Sequence, residues 1–109
     1  MENFDIPNGL TDRGKAAAQV IIDFCKQHDL ESDQEVFFDP HHWMGAFGDN
    51  SLLIVTHANT DASRALSLDG AYERNRRDYS LYDALYKQLA SVGVYIEQCT
   101  KYYSAVYEA

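Results

Sequence analysis

Apolar residues recur at helical spacing in two stretches of the chain. The first stretch runs from residue 12 to residue 29, directly after Thr11, whose side chain can cap the first turn of a helix. The second runs from residue 80 to residue 92, and Gly93 stands where the glycine that commonly follows a helix belongs. The spacing therefore predicts two amphipathic helices, each with one apolar face for a core.

Four shorter stretches are rich in the residues that favour β-strands. They are residues 35–38, 51–57, 94–98 and 102–108. Residues 51–57 are apolar on both faces, which is typical of a strand with neighbours on both sides. The pattern predicts four strands, with this one in the centre of the sheet and the last two joined by a short turn.

Three segments outside these helices and strands show no clear helical or strand periodicity. Residues 1–10 are predicted as an arm that precedes the first helix. Asp39 followed by Pro40 is typical of a helix start and predicts a short helical turn through residue 44. Residues 58–78 are predicted as one long loop, and a loop of that length in a small domain is either functional or mobile.

These elements follow one another in the order α-β-β-α-β-β. A chain of 109 residues is expected to form one domain, residues 1–109. An α+β fold buries the apolar face of each predicted helix against the sheet. We expect two helices packed on one face of a mainly antiparallel sheet of about four strands. The opposite face of the sheet would then be partly open to solvent or to a partner.

Negative charge is concentrated in the first half of the chain. The net charge is −8, and residues 1–50 contribute −7 of it. A field of this sign repels phosphates and attracts basic surfaces, so we expect a basic protein surface as partner and no direct binding of nucleic acid. The densest acidic run supplies candidate partner-binding residues, namely Asp29, Glu31, Asp33, Glu35 and Asp39. The alternative is a solvated turn that only aids solubility.

Tyrosines are frequent in the C-terminal hairpin, where Tyr95, Tyr103 and Tyr107 fall on predicted strands. Tyrosine favours half-buried strand positions, so these residues need no further role. It is also common at binding hot spots, because it gives a large contact area at a small cost in entropy. We therefore add these three tyrosines to the candidate partner-binding residues, on a face that could bind another protein or form a homodimer.

Catalytic chemistry has little support in the sequence. His41 and His42 are adjacent, so they would point about 100° apart on a helix, and no metal-ligand spacing surrounds them. His57 ends a predicted strand close to Asp61, which leaves open a small metal-dependent or His-based enzyme that uses these two residues with His41 or His42. The chain has no nucleotide-binding fingerprint. We predict a non-enzymatic protein with no catalytic residue, metal or cofactor, and keep the enzyme as an alternative.

Membrane, redox and nucleic-acid signals are weak as well. No apolar run approaches the roughly 18 residues that span a bilayer, and the N-terminus has no secretory pattern. Cys25 and Cys99 form no Cys-x-x-Cys pair and are expected to be reduced and buried. The cluster of Arg74, Arg76 and Arg77 is flanked by acids, so we expect it to pair with the acidic N-terminal half of this chain or with a second copy. We expect a cytoplasmic protein.

Three segments resemble parts of small proteins carried by bacterial phages and plasmids. They are NSLLIVTH at 50–57, GVYIEQCTKYYSAVY at 93–107 and DPHHW at 39–43, and the resemblance extends over residues 11–107. Small acidic proteins of this kind include anti-CRISPR-like and anti-restriction-like inhibitors, which occupy nucleic-acid-binding surfaces of host defence complexes. The resemblance therefore implies an inhibitor of such a complex in the cytoplasm of a bacterial host, and it implies no catalytic or ligand residues.

Overall fold

The described residues of the protein form a four-stranded antiparallel sheet with helices on one face. A computed structural model describes residues 3–42, 51–57, 60–67 and 80–109. In this part of the chain the strands are β1 (Phe37–Phe38), β2 (Leu53–Thr56), β3 (Val94–Gln98) and β4 (Tyr103–Glu108). They lie in the order β1-β2-β4-β3, and every neighbouring pair is antiparallel. The predicted α+β class is confirmed, and β2 lies inside the sheet as expected.

The helices of the described residues are α1 (Asp12–Gln27), α2 (Ser63–Leu66) and α3 (Ser80–Ala90). The Thr11 hydroxyl accepts a hydrogen bond from the Gly14 N–H at 3.1 Å, so α1 begins where the sequence predicts. It ends at Gln27, before the predicted residue 29, because Asp29 adopts a left-handed backbone conformation with φ 58°. Within these segments no helix is both long and apolar enough to cross a membrane.

Residues 58–78 differ from the long loop that the sequence predicts, because α2 lies among them. This helix has four residues, which is too few to produce a helical period in the sequence. Side-chain hydroxyls stabilise the turns before it: Thr60 donates to the His57 carbonyl at 2.8 Å, and Ser63 donates to the Thr60 carbonyl at 2.7 Å. The predicted arginine cluster, in residues 68–79, lies outside the described residues.

The N-terminal arm packs against the core and not into solvent. Phe4 is buried, and its ring meets the edge of the Phe37 ring at a centroid distance of 6.0 Å. The Asn3 carbonyl accepts a hydrogen bond from the Val36 N–H at 2.9 Å, so the arm lies beside the residue that directly precedes β1. After β1, a 3-10 turn forms at Pro40–His42, as the sequence predicts; its expected continuation to residue 44 lies outside the described residues.

The two faces of the sheet have different surroundings. One face joins the helices in the core through Phe37, Leu53, Val55, Val94, Ile96 and Val106. Side chains alternate along a strand, so the register assigns the opposite face, here called the tyrosine face, to Phe38, Ile54, Thr56, Tyr95, Glu97, Tyr103, Ala105 and Tyr107. On the tyrosine face Ile54 and Ala105 are buried, Glu97 is exposed, and the other side chains are partly exposed. This second face is therefore partly open, as expected.

Candidate functional site

The predicted acidic run forms a loop of residues 28–36, here called the acidic loop, between α1 and β1. Its carboxylates, Asp29, Glu31, Asp33 and Glu35, are all exposed, whereas Leu30 between the first two is fully buried. The Leu30 N–H donates to the Cys25 carbonyl at 2.9 Å, which ties the start of the loop to the end of α1. The apolar side chain thus anchors the loop while the carboxylates point to solvent.

Neighbouring elements hold the backbone of the acidic loop at three further points. The Asn3 amide donates to the Ser32 carbonyl at 2.8 Å, and the Ala62 N–H donates to the Glu31 carbonyl at 3.0 Å. The Thr56 hydroxyl of β2 donates to the Glu35 carbonyl. These bonds use backbone oxygens and leave the carboxylates unused. The loop is therefore an acidic surface whose backbone is held in place by neighbouring elements.

Asp61 joins the acidic loop in space, although 26 positions separate it from Glu35 in sequence. Its carboxylate accepts a hydrogen bond from the Glu31 N–H at 3.4 Å and lies 3.8 Å from the Arg64 guanidinium. The Arg64 pair is half exposed on both sides, so it adds little to the stability of the fold. One feature of the sequence groups Asp61 with the acidic loop: both lie in residues 27–63, which contain seven acids and no Lys or Arg.

The charge of the acidic loop is not balanced within the described segments. None of the carboxylates of Asp29, Glu31, Asp33 and Glu35 forms an ion pair there. Lys26, in the last turn of α1, is the nearest base along the chain and has no ion pair with the loop among those residues. The carboxyl end of α1 adds the negative pole of its dipole at the same place. Within the described residues, the acidic loop therefore carries four negative charges that no base pairs with.

Asp39 lies apart from the other predicted partner-binding acids because its side chain is turned inward. It is 6% exposed, and its two carboxylate oxygens bond to the His41 N–H at 3.0 Å and to His42 Nδ1 at 3.1 Å. Gly9 packs so closely that a Cβ there would lie 2.6 Å from Asp39 Oδ2. Asp39 therefore caps the 3-10 turn, and we leave it out of the acidic surface.

The three predicted tyrosines share one face of the sheet. Tyr95 of β3 lies opposite Tyr107 of β4, and their rings stack with centroids 5.6 Å apart and planes 29° apart. Tyr103 is on the same face, opposite Thr56 of β2. Glu97 also belongs to this face, whereas Glu108 lies on the helix face, where it pairs with Arg13 at 3.1 Å. The tyrosine face thus reaches the acidic loop at Thr56.

His57 and Ser104 form a buried pair that resembles a catalytic dyad only in composition. His57 Nε2 lies 3.0 Å from Ser104 Oγ, and His57 is 1% exposed. The Ser104 hydroxyl donates its hydrogen to the Leu66 carbonyl at 2.9 Å, so it accepts from His57. A serine nucleophile needs the reverse direction, with histidine as the acceptor. The pair thus links the end of β2, β4 and the end of α2.

The other groups suggested by the sequence are not assembled into a centre. In residues 3–42, 51–57, 60–67 and 80–109, no group of three or more His, Cys, Asp or Glu side chains is placed to hold a metal ion. His42 pairs with Asp39, and Asp61 belongs to the acidic loop. Burial raises the pKa of the Cys25 thiol to about 12, with a smaller contribution from the Asp61 charge, so that thiol is a poor nucleophile at neutral pH.

Comparisons of the chain with protein-family models, with curated proteins and with solved structures found no match. The charge of the acidic loop and the geometry of the tyrosine face are the observations that bear on function.

Proposed function

We propose that this protein is a non-enzymatic binding protein that places its acidic loop on the basic surface of a protein partner. The observation that supports this proposal is the set of exposed carboxylates on a tethered backbone, which form no ion pair within the part of the chain that the structure describes. Such a surface speeds the encounter with a basic partner and selects against acidic ones. The partner's basic surface is one that binds nucleic acid, because phosphates and the acidic loop need the same positive field.

In its specific form, the proposal makes the protein an inhibitor of a nucleic-acid-handling defence complex in the cytoplasm of a bacterial host, comparable to anti-CRISPR proteins. The resemblance of residues 11–107 to small phage- and plasmid-borne proteins motivates this form. The net charge of −8 favours a protein partner over nucleic acid itself. Inhibition would follow from occupation of the phosphate-binding channel, without any chemical step.

A pull-down from bacterial lysate with two variants of equal charge tests this proposal. The loop variant changes Asp29→Asn, Glu31→Gln, Asp33→Asn and Glu35→Gln, and Asn is well tolerated in the left-handed conformation of residue 29. The matched control changes Asp12→Asn, Asp23→Asn, Asp83→Asn and Glu108→Gln, which are exposed positions outside the loop. Each variant loses four negative charges. A difference in partner capture between them is therefore due to the position of the charges and not to the net charge.

The expected result is capture of a nucleic-acid-handling complex by the wild type and by the control variant. Excess DNA or RNA should release that complex, and the loop variant should fail to retain it. Binding of the purified complex should also weaken as salt rises, with a flatter salt dependence for the loop variant. Capture that persists both with excess nucleic acid and in the loop variant would contradict the proposal.

A further inference from the structure

The tyrosine face contains a pair of stacked rings beside one carboxylate. Tyr95 and Tyr107 lie opposite each other on neighbouring strands and stack at 5.6 Å. Glu97 follows Tyr95 by two positions on β3, so the two side chains point the same way, about 6.6–6.8 Å apart along the strand. Both rings are partly exposed and Glu97 is exposed. Two partly exposed tyrosines and an exposed carboxylate therefore lie side by side.

This combination matches the chemistry of an arginine side chain. A guanidinium group is planar and stacks on an aromatic ring, while its N–H groups reach a carboxylate in the plane of the guanidinium. A lysine ammonium is a compact, strongly hydrated charge and lacks the stacking surface.

The negative charge of this face and of the chain favours a basic partner over a second copy of the chain. Glu97 is the charged residue among the strand positions that form the tyrosine face, and the chain as a whole has a net charge of −8. Two copies that meet at this face would place like charges together, which disfavours the contact. A second copy added at the edge strand β3 would compete with the Tyr82 hydroxyl, which donates to the Ile96 carbonyl at 3.4 Å.

We infer that Tyr95, Tyr107 and Glu97 form a docking site for an arginine side chain of the basic protein partner. The inference rests on the proposed function, because it assumes that a basic partner exists. It adds that the partner contacts this face through an arginine side chain. The acidic loop meets the same face at Thr56, whose hydroxyl bonds the Glu35 carbonyl and which lies opposite Tyr103. Tyr107 lies four positions beyond Tyr103 along β4, about 14 Å away, which is within the width of one protein surface. One basic surface can therefore contact both, with the loop supplying long-range attraction and the rings supplying arginine preference.

Fluorescent deca-arginine and deca-lysine peptides separate the two contributions. The quantity measured is the ratio of their dissociation constants by fluorescence anisotropy. In the double variant Tyr95→Leu/Tyr107→Leu, the preference for arginine should fall about two- to fivefold, which corresponds to an exposed cation–π contact. Tyr86→Leu, a partly exposed tyrosine on α3, is the matched control and should leave the ratio unchanged. The loop variant should weaken both peptides equally and keep the ratio.

A second measurement uses the wild type and does not depend on the folding of a variant. Methylguanidinium should shift the NMR signals of the Tyr95 and Tyr107 ring protons more than methylammonium does at equal concentration. Glu97→Gln should reduce that shift, whereas Asp83→Asn, an exposed acid on α3 with the same loss of charge, should not.

An unchanged peptide ratio in a folded Tyr95→Leu/Tyr107→Leu variant, or equal ring shifts with both cations, would overturn the arginine site. Equal binding of the peptides by the wild type and the loop variant would instead contradict the role of the acidic loop. The two failures are therefore distinguishable.

Discussion

Thr56 lies opposite Tyr103 in the β2–β4 ladder, and its hydroxyl bonds the carbonyl of Glu35. This residue is therefore the point at which the acidic loop is attached to the tyrosine face. Its backbone N–H also bonds the Val36 carbonyl at 2.7 Å, so main chain and side chain hold the end of the loop together. The hydroxyl of Thr56 therefore helps to fix the distance between the acidic loop and the tyrosine face. A partner that binds both surfaces would have to match that distance.

Replacement of Thr56 by Val should remove the side-chain bond and keep the shape of the residue. The free energy of unfolding should fall by about 1 kcal/mol, because the Glu35 carbonyl loses one partner. Urea unfolding measures this loss, and amide exchange at Glu35 and Val36 should become faster as the loop end loosens. Ser91→Ala, which removes an exposed hydroxyl bonded to the Gln88 carbonyl, is a control that should cost less. Equal costs in the two variants would argue against a structural role for Thr56.

Replacement of Ser104 by Ala should destabilise the fold through the buried His57. The serine hydroxyl accepts from His57 and donates to the Leu66 carbonyl, so both groups lose a partner in the interior. Leaving such groups unsatisfied costs about 1–3 kcal/mol in the free energy of unfolding, measurable in urea. Partner binding, measured below the unfolding transition, should not change. A loss of binding without a loss of stability would favour a direct functional role for this pair.

The two cysteines should differ in reactivity towards a disulfide reagent. Cys99 is exposed, so the expectation that both cysteines are buried is wrong for this residue. Cys25 is fully buried, and its pKa is raised to about 12. At neutral pH the native protein should therefore expose one fast-reacting thiol, and a second should react only in denaturant. Cys99→Ser should abolish the fast reaction. Rapid modification of both thiols in the native protein would contradict the burial of Cys25.

The raised pKa of Cys25 also predicts a loss of stability at high pH. The thiol ionises near pH 9.0 when exposed and near 12 in the folded protein, so between these values the unfolded state holds fewer protons. The free energy of unfolding should therefore fall as pH rises from 9.0 towards 12. Because lysines and tyrosines titrate in the same range, the measurement is the difference in slope between wild type and Cys25→Ala. Identical slopes would contradict the prediction.

Gly9 and Gly93 allow backbone strain to be separated from a side-chain clash. Both have positive φ, 91° and 78°, so alanine at either position should cost about 1–2 kcal/mol through the backbone. A Cβ at residue 9 would also lie 2.6 Å from Asp39 Oδ2, whereas at residue 93 it would meet Arg13 at an ordinary 3.5 Å. Gly9→Ala should therefore destabilise more than Gly93→Ala in urea unfolding. The excess should shrink in an Asp39→Ala background.

Local sequence patterns were sufficient to predict most of the secondary structure. The helix period and the Thr11 cap predicted α1, and the apolar stretch at 51–57 predicted the internal strand β2. These signals are visible because capping and alternating burial act between residues that are close in sequence. The four-residue helix α2 gave no such signal, since its turns depend on hydroxyl bonds and on packing from distant elements.

The sequence by itself determined the sign and density of the charge, the approximate order of the elements and the tyrosine content of the C-terminal hairpin. Tertiary structure decided which of those residues lie close together. It buried Asp39 under the 3-10 turn, brought Asp61 to Glu31, and placed Glu97 beside the tyrosines while Glu108 pairs with Arg13 on the other face. The physical reason is that burial and ion pairing depend on contacts between segments distant along the chain, which a pattern of neighbouring residues does not encode.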